Sequence, residues 1–101
     1  MFVKRTMNKI MILKGGNPAI HKLGNIGREK DSYIRVYAED EDNYIGMFEE
    51  GFGFADVRFK KSDCRKLTQN EVEKLNGMIV TINNTPAYEI KIDNDGNLIS
   101  N

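Results

Sequence analysis

The chain has 101 residues, 40% of them hydrophobic and 30% charged, a composition typical of one small folded domain rather than a disordered segment. Fifteen basic and fifteen acidic residues give zero net charge, which argues against bulk attraction to nucleic acid or to an anionic membrane. One cysteine excludes an internal disulfide, and no apolar run approaches the roughly 20 residues of a membrane span. We therefore expect a single cytoplasmic domain over residues 1–101.

The amino-terminal residues lack the order of basic, apolar and small residues that a secretory signal requires. Met7 offers a second translation start, in which case residues 1–6 are a dispensable extension, and the sequence leaves both starts open.

Charge is unevenly distributed along the chain. Residues 1–30 carry seven basic and one acidic residue, whereas residues 31–50 carry one basic and seven acidic residues. We expect the two segments to pack near each other, with a working surface of one sign as the alternative.

The first half of the chain begins with a short apolar run over residues 9–14, which predicts a buried strand because residues 15–18, Gly-Gly-Asn-Pro, form a turn signal. Residues 19–30 contain two glycines and no clear period. They are interpreted as a loop with a short strand around residues 20–23.

From Tyr33 onward, apolar and polar residues alternate as a half-buried strand requires. Ile34, Val36 and Ala38 are predicted on one face, and Tyr33, Arg35 and Tyr37 on the other. Residues 39–43 form a polar turn, and residues 44–48 form the return strand of a hairpin. After Gly51 and Gly53, a third strand has Ala55, Val57 and Phe59 alternating with Phe54, Asp56 and Arg58. The pattern predicts a three-stranded antiparallel meander.

A helix start is the strongest local signal in the chain. Thr68 is placed to cap the amide of Glu71 while the Glu71 side chain reaches back, and Leu67 is placed to pack against Val72. Gly77 then occupies the position where a helix end favours a left-handed residue. These features predict one helix over about residues 69–76.

The remaining residues, 78–99, predict a carboxy-terminal hairpin. Met78, Val80 and Ile82 alternate with Ile79 and Thr81, residues 83–86 form a turn, and Tyr88, Ile90 and Ile92 form the return strand. Residues 93–96, Asp-Asn-Asp-Gly, lead into a last short strand at residues 98–99. The predicted fold class is therefore mainly β with one short α-helix, arranged as a strongly bent antiparallel sheet or a small barrel.

The segment from Phe59 to Thr68, in which a strand leads through a tight polar turn into a short closing strand, resembles the late segment of SH3-like small β-barrel proteins of bacteria and phages. The preceding meander and its glycine-aromatic run are similar to that family too, so the resemblance covers about residues 32–68. It implies binding to a protein or a nucleic acid rather than catalysis, and it implies no particular ligand.

Catalysis and metal binding are not predicted. The single histidine, His21, lies in an irregular loop, and nothing in the sequence brings it to Cys64, so Cys64 is interpreted as a small strand residue. Residues 93–96 resemble a calcium loop only superficially, because Lys91 occupies the first ligand position and the closing glutamate is missing. No phosphate-binding Gly-Lys-Ser/Thr motif occurs. We expect no enzyme activity, no metal and no cofactor.

The leading hypothesis is a small binding protein that docks on a larger protein, as an inhibitor or adaptor of phage or mobile-element type whose target is a nucleic-acid enzyme. The acidic turn of the hairpin is the first candidate surface, with a solvated turn as the simpler interpretation. Aromatic anchors beside it are expected because such side chains dominate interfaces. The protein-binding candidates are Tyr37, Glu39, Asp40, Glu41, Asp42, Tyr44, Phe52 and Phe54.

The alternative hypothesis is a module that binds RNA or single-stranded DNA. Aromatic rings and guanidinium groups on one sheet face are the composition that stacks exposed bases, although the same residues also serve to cover a sheet face. Basic residues would then contact the phosphates. The candidates for this function are Tyr33, Arg35, Arg58, Lys60, Lys61, Arg65 and Lys66.

Overall fold

The structure, a computed structural model, describes residues 8–50 and 54–99, and it confirms the predicted class of a mainly β protein with one short helix. The strands are β1 (Lys9–Leu13), β2 (Ala19–His21), β3 (Gly24–Ile26), β4 (Ser32–Glu39), β5 (Asn43–Phe48), β6 (Val57–Lys60), β7 (Cys64–Arg65), β8 (Ile79–Ile82) and β9 (Thr85–Glu89). A turn of 3₁₀ helix (Lys61–Asp63) precedes β7, and the helix α1 (Gln69–Leu75) follows it.

Seven of the described strands form one antiparallel sheet in the order β3-β2-β6-β5-β4-β1-β7, which contains the predicted meander β4-β5-β6. The sheet is strongly bent. Only the 3₁₀ turn separates Lys60 at the end of β6 from Cys64 at the start of β7, so at most about 14 Å of chain joins them. In a flat sheet, strands four places apart lie about 19 Å apart, so β7 reaches β1 only because the sheet curls.

Strand β4 contains an irregularity, and the predicted alternation of its side chains is therefore only partly right. The pairing with β5 shifts between Val36 and Ala38, so Tyr37 is the extra residue of a β-bulge. Ala38 then lies opposite Ile45, and Ile45 lies opposite Arg58, whereas Val36 belongs to the register that contains Val57. Cross-strand neighbours share a face, so Ala38 lies on the opposite face of the sheet from Val36. The prediction that these two residues share a face is therefore wrong.

Buried apolar side chains form two clusters within the described residues, and β1 contributes to both. The first, here called the sheet core, contains Met11, Leu13, Ala19, Ile34, Val36, Phe48, Val57 and Phe59. The second, here called the helix core, contains Ile10, Ile12, Leu67, Val72, Leu75, Ile90 and Ile92. Strand β1 is therefore buried on both faces, as the uninterrupted apolar run of its sequence requires.

The helix α1 begins with the predicted capping box. The Thr68 hydroxyl accepts a hydrogen bond from the Glu71 amide at 3.2 Å, and the Glu71 carboxylate accepts one from the Thr68 amide at 2.8 Å. Arg65 donates two further hydrogen bonds to the Glu71 carboxylate and one to Asp31. Gly77 has φ +91°, the left-handed conformation predicted for the helix end.

The carboxy-terminal hairpin forms, but its turn is shorter than predicted. Asn83 and Asn84 have φ +51° and +62°, which closes β8 and β9 with a two-residue turn, so β9 begins at Thr85 instead of near Tyr88. β8 and β9 pair only with each other among the described strands. The return strand predicted at Ile90 and Ile92 is also wrong, since both residues lie beyond β9 and fill the helix core.

The last described residues return to β1. Residue pairs Lys9–Asn97 and Ile92–Leu98 form isolated bridges, which take the place of the strand predicted at residues 98–99. The Leu98 amide donates a hydrogen bond to the Asn8 carbonyl at 2.8 Å. Residues 19–26, within the segment interpreted as a loop with one strand, instead form the hairpin β2–β3, in which Gly24 begins β3 with φ +137°, a conformation that favours glycine.

Substitution of Gly46 tests how closely β4 approaches β5. A Cβ atom at Gly46 would overlap the Arg35 carbonyl oxygen, whereas a Cβ atom at Gly27 would meet nothing within 4 Å. We expect Gly46→Ala to lower the free energy of unfolding by about 3 kcal/mol, because a backbone atom cannot move aside without disturbing the sheet. Urea denaturation of Gly46→Ala and of the control Gly27→Ala measures the difference. Equal stability of the two variants would contradict this packing.

Glu71 makes acid stability testable. The hydrogen bonds from Arg65, acting against burial, lower the pKa of Glu71 from 4.5 to about 2. A lowered folded-state pKa stabilises the fold above the unfolded pKa, and this contribution is lost as the pH falls from 4.5 towards 2. We expect Glu71→Gln to lose less stability over that interval than the wild type, measured by urea denaturation at each pH. Glu73→Gln, on the exposed side of the same helix, should behave like the wild type.

Candidate functional site

A cleft in the described surface lies beside the junction of β2 and β6, and we refer to it as the β2–β6 cleft. Its volume is about 620 Å³. It is lined by Ile20, His21, Lys22, Leu23, Phe54, Ala55, Asp56 and Arg58.

The cleft arises because β2 and β6 share a single register pair, Ile20 opposite Arg58. Beyond that pair the chain before β6 diverges from the hairpin β2–β3 and leaves an opening. The rings of His21 and Phe54 bridge the opening, with centroids 4.9 Å apart and planes tilted by 33°. The Nδ1 atom of His21 accepts a hydrogen bond from the Leu23 amide, which fixes the ring at the end of β2.

Large apolar side chains are exposed at this cleft. Leu23 is 75% exposed, Ile20 48% and Phe54 39%. Single exposed apolar residues are ordinary on protein surfaces, but three that line one concave surface are typical of a binding site.

Two of the polar residues that line the cleft, Asp56 and Arg58, are bonded to side chains outside it. The Tyr37 hydroxyl donates a hydrogen bond to the Asp56 carboxylate and accepts one from the Asp56 amide, both at 2.7 Å. Arg58 forms an ion pair with Asp40. Tyr37, Asp40, Phe54 and Arg58, each predicted as a candidate from the sequence, therefore belong to one structural unit.

Asp40 differs from the solvated carboxylate expected in the acidic turn, because its side chain is only 3% exposed. It accepts hydrogen bonds from the amides of Asp42 and Asn43 at 3.0 and 2.8 Å and pairs with Arg58. Although burial acts in the opposite direction, these hydrogen bonds and the charge of Arg58 hold the pKa of Asp40 below its usual range. Asp40 thus organises the turn, and its carboxylate is not presented to a partner.

The other acidic residues of the turn are divided between ion pairing and solvent. Glu39 pairs with Lys61 at 3.3 Å, whereas Glu41 and Asp42 are exposed. The basic residues that pair with residues 31–50 in the described part of the structure come from that segment itself or from later in the chain. Residues 8–30 do pack against the acidic segment, because β1 pairs with β4 from Lys9–Val36 to Leu13–Ser32 and the Gly15 amide donates a hydrogen bond to the Asp31 carboxylate at 2.8 Å. Arg28 adds a hydrogen bond to the Glu50 carbonyl.

The remaining aromatic candidates have structural contacts. Tyr44 packs against the sheet core, and the ammonium groups of Lys9 and Lys61 lie 5.1 and 5.3 Å from its ring centroid. Tyr33 packs against the helix core. Phe52 lies outside the described residues, so its predicted role as an anchor stays a prediction.

Most of the basic residues considered for nucleic acid are engaged in ion pairs. Arg35 forms a two-pronged pair with Glu49 at 2.8 and 2.9 Å, and the ring of Tyr88 lies 5.4 Å from its guanidinium carbon. Arg58 and Lys61 pair with the acidic turn, and Arg65 pairs with Asp31 and Glu71. Lys60 and Lys66 are exposed.

Cys64 is not an activated nucleophile, and no metal cluster is found in residues 8–50 and 54–99. Burial, aided by the nearby Asp63, raises the pKa of the Cys64 thiol to about 11, whereas an activated cysteine has a lowered pKa. No group of three or more His, Cys, Asp and Glu side chains in that part of the chain could hold a metal ion. None of its helices is long and apolar enough to cross a membrane.

Sequence comparison does not assign the chain. No protein-family model matches it, and the searches of curated proteins and of solved structures found no match either.

Six of the eight cleft residues were absent from the sequence-based candidates, namely Ile20, His21, Lys22, Leu23, Ala55 and Asp56. A usable signal was present, because Ile20 and Leu23 are large apolar residues in a glycine-containing segment without a buried-strand pattern. Their proximity to Phe54 depends on the pairing of β2 with β6, which no local pattern reveals.

The raised pKa of Cys64 is directly testable. Because the thiolate is the reactive form, we expect slow alkylation by iodoacetamide at neutral pH and a rate that keeps rising up to a pH of about 11. The chain unfolded in urea, in which the thiol has an ordinary pKa near 9, is the control and should react faster. Rapid labelling of the folded protein at neutral pH would show an activated thiolate and overturn this interpretation.

Proposed function

We propose that this chain is a small, non-enzymatic protein-binding domain that docks on a larger protein through the β2–β6 cleft. The observation that carries the proposal is the exposed apolar group of Leu23, Ile20 and Phe54 around one concave surface. Burying exposed apolar surface of this kind against a partner lowers the free energy of the complex. The expected occupant is an apolar or aromatic side chain of the partner.

The polar groups of the cleft support the same proposal. Desolvating an unpaired charge is expensive, and it weakens binding unless a partner compensates it. Asp56 is already hydrogen-bonded to Tyr37, and Arg58 is already paired with Asp40. An apolar group can therefore enter beside them without stripping water from an uncompensated charge.

Ion pairing also favours a protein ligand over the alternative of RNA or single-stranded DNA. Arg35, Arg58, Lys61 and Arg65 would have to exchange carboxylate partners for phosphates. Nucleic-acid binding depends on basic groups that replace counterions along the phosphate backbone. An adaptor or inhibitor that binds a nucleic-acid enzyme through protein contacts is consistent with the proposal, and Glu41 and Asp42 would then face the basic surface of that enzyme.

The resemblance to SH3-like barrels stays a proposal, and the order of elements supports it. Strands β6, β5, β4, β1 and β7 are consecutive neighbours in the sheet, the hairpin β2–β3 is inserted between β1 and β4, and a 3₁₀ turn precedes the closing strand β7. The helix α1 and the hairpin β8–β9 are additions to such a barrel.

Affinity capture from a lysate of the native host tests the proposed docking. We expect a protein partner whose recovery falls about tenfold or more when Leu23 is replaced by serine, since the change removes the most exposed apolar side chain of the cleft. Ile99→Ser, which removes a side chain that is 53% exposed and outside the cleft, is the matched control and should bind normally. Recovered proteins are quantified by mass spectrometry.

The same experiment separates protein from nucleic acid. Binding through the cleft should survive nuclease treatment and about 0.5 M salt, because apolar contacts are not screened. Loss of capture with nuclease, or a steep decline with salt, would favour the nucleic-acid alternative. A partner bound equally by the wild type and Leu23→Ser would refute docking through the β2–β6 cleft.

A further inference from the structure

Exposed apolar side chains also lie on the hairpin formed by β8 and β9, here called the arm (Ile79–Glu89). The arm is a two-stranded sheet of its own among the described strands. Val80 packs against the helix core and Tyr88 lies against Arg35, so one side of the arm is anchored. Ile79 and Ile82 are 50% and 58% exposed. Two-stranded sheets are marginally stable alone, and a further strand would stabilise the arm.

The two outer edges of the arm differ in how they resist pairing. β9 contains Pro86, which lacks an N–H group, and Ala87, which is an extra residue because Thr81 pairs with Pro86 and Val80 pairs with Tyr88. Proline and bulges are the devices that protect sheet edges from additional strands. β8 contains neither device and no charged residue. No other described strand pairs with its outer edge, and that edge therefore offers a further strand a place to pair.

The described edges of the large sheet are less suitable for pairing. β3 has three residues and β7 has two, and short edge strands are themselves protected. β8 is longer, with four residues, and three of these, Ile79, Val80 and Ile82, are β-branched and apolar, a composition typical of a paired strand.

We propose that the outer edge of β8 pairs antiparallel with β8 of a second copy, giving a twofold dimer with a four-stranded sheet. Charge is the argument for a second copy. A twofold axis through the middle of β8 places the two copies of the strand side by side, so a charge on β8 would lie within a few residues of the same charge on the other copy, and β8 has none. Glu89 is the one charged residue of the arm, and it lies on the far strand, 3.7 Å from Lys91.

The side chains define the register. With the axis at Thr81, the two threonines face each other and Val80 of one copy lies opposite Ile82 of the other, which pairs β-branched side chains across the strands. A four-residue edge buries much less than the roughly 1,200 Å² of a stable interface, so the dimer is expected to be weak and concentration-dependent. This inference goes beyond the proposed docking, because it uses a surface separate from the β2–β6 cleft.

Sedimentation velocity over a range of protein concentrations tests the dimer. We expect the wild type to show a reversible monomer–dimer equilibrium, and Thr81→Lys to lower the association constant at least about tenfold, because the substitution places two positive charges together at the axis. Asn25→Lys introduces the same charge at the exposed edge strand β3, and it is expected to dimerise like the wild type. Circular dichroism checks that each variant is folded.

Hydrogen exchange on the wild type gives a second measurement that needs no substitution. Amides of β8 should become less protected when the protein is diluted below the dissociation constant, while amides of β1 stay protected. A wild type that remains monomeric at millimolar concentration would overturn the proposal. Dimerisation that Thr81→Lys leaves unchanged, or that Asn25→Lys abolishes, would also overturn it, since the interface would then lie elsewhere.

Discussion

The fold depends on the burial of β1 on both faces. Ile10 and Ile12 belong to the helix core, while Met11 and Leu13 belong to the sheet core, so each face of one five-residue strand needs its own covering layer. The curled sheet covers one face. Helix α1 and the segment after β9 cover the other, which makes them necessary parts of the domain, because without them the apolar face of β1 would be in water.

Ion pairs between distant parts of the chain complement this apolar framework. The acidic residues of the segment 31–50 form ion pairs mainly with basic residues that come later in the chain, such as Asp40 with Arg58 and Asp31 with Arg65. The acidic charge of this segment is therefore balanced by contacts between distant parts of the fold. In the β2–β6 cleft this pairing engages Arg58, which pairs with Asp40. The exposed side chains of this cleft are mainly apolar, whereas the acidic turn of the β4–β5 hairpin had been the first candidate surface.

Sequence reasoning predicted the features that are coded locally. The capping box at Thr68 and Glu71 formed as expected, because both partners are three residues apart on one helix turn. The meander formed because its alternation has the period of a strand. The bulge at Tyr37 was missed. It shifts the pairing of β4 with β5, but the alternation of apolar and polar residues up to Val36 is the same with or without it. The cleft was only partly predicted, because it joins Ile20 to Arg58, and such a pairing between distant segments has no signature within either.

The contact between Leu98 and Asn8 has a practical consequence for engineering. Because the Leu98 amide bonds the Asn8 carbonyl, the chain enters and leaves the described domain at neighbouring points. A fold with adjacent entry and exit can be inserted into a surface loop of another protein with little distortion of the host, and a short linker between these points would permit circular permutation. New ends could then be opened at the Asn83-Asn84 turn, which would place the arm under direct experimental control.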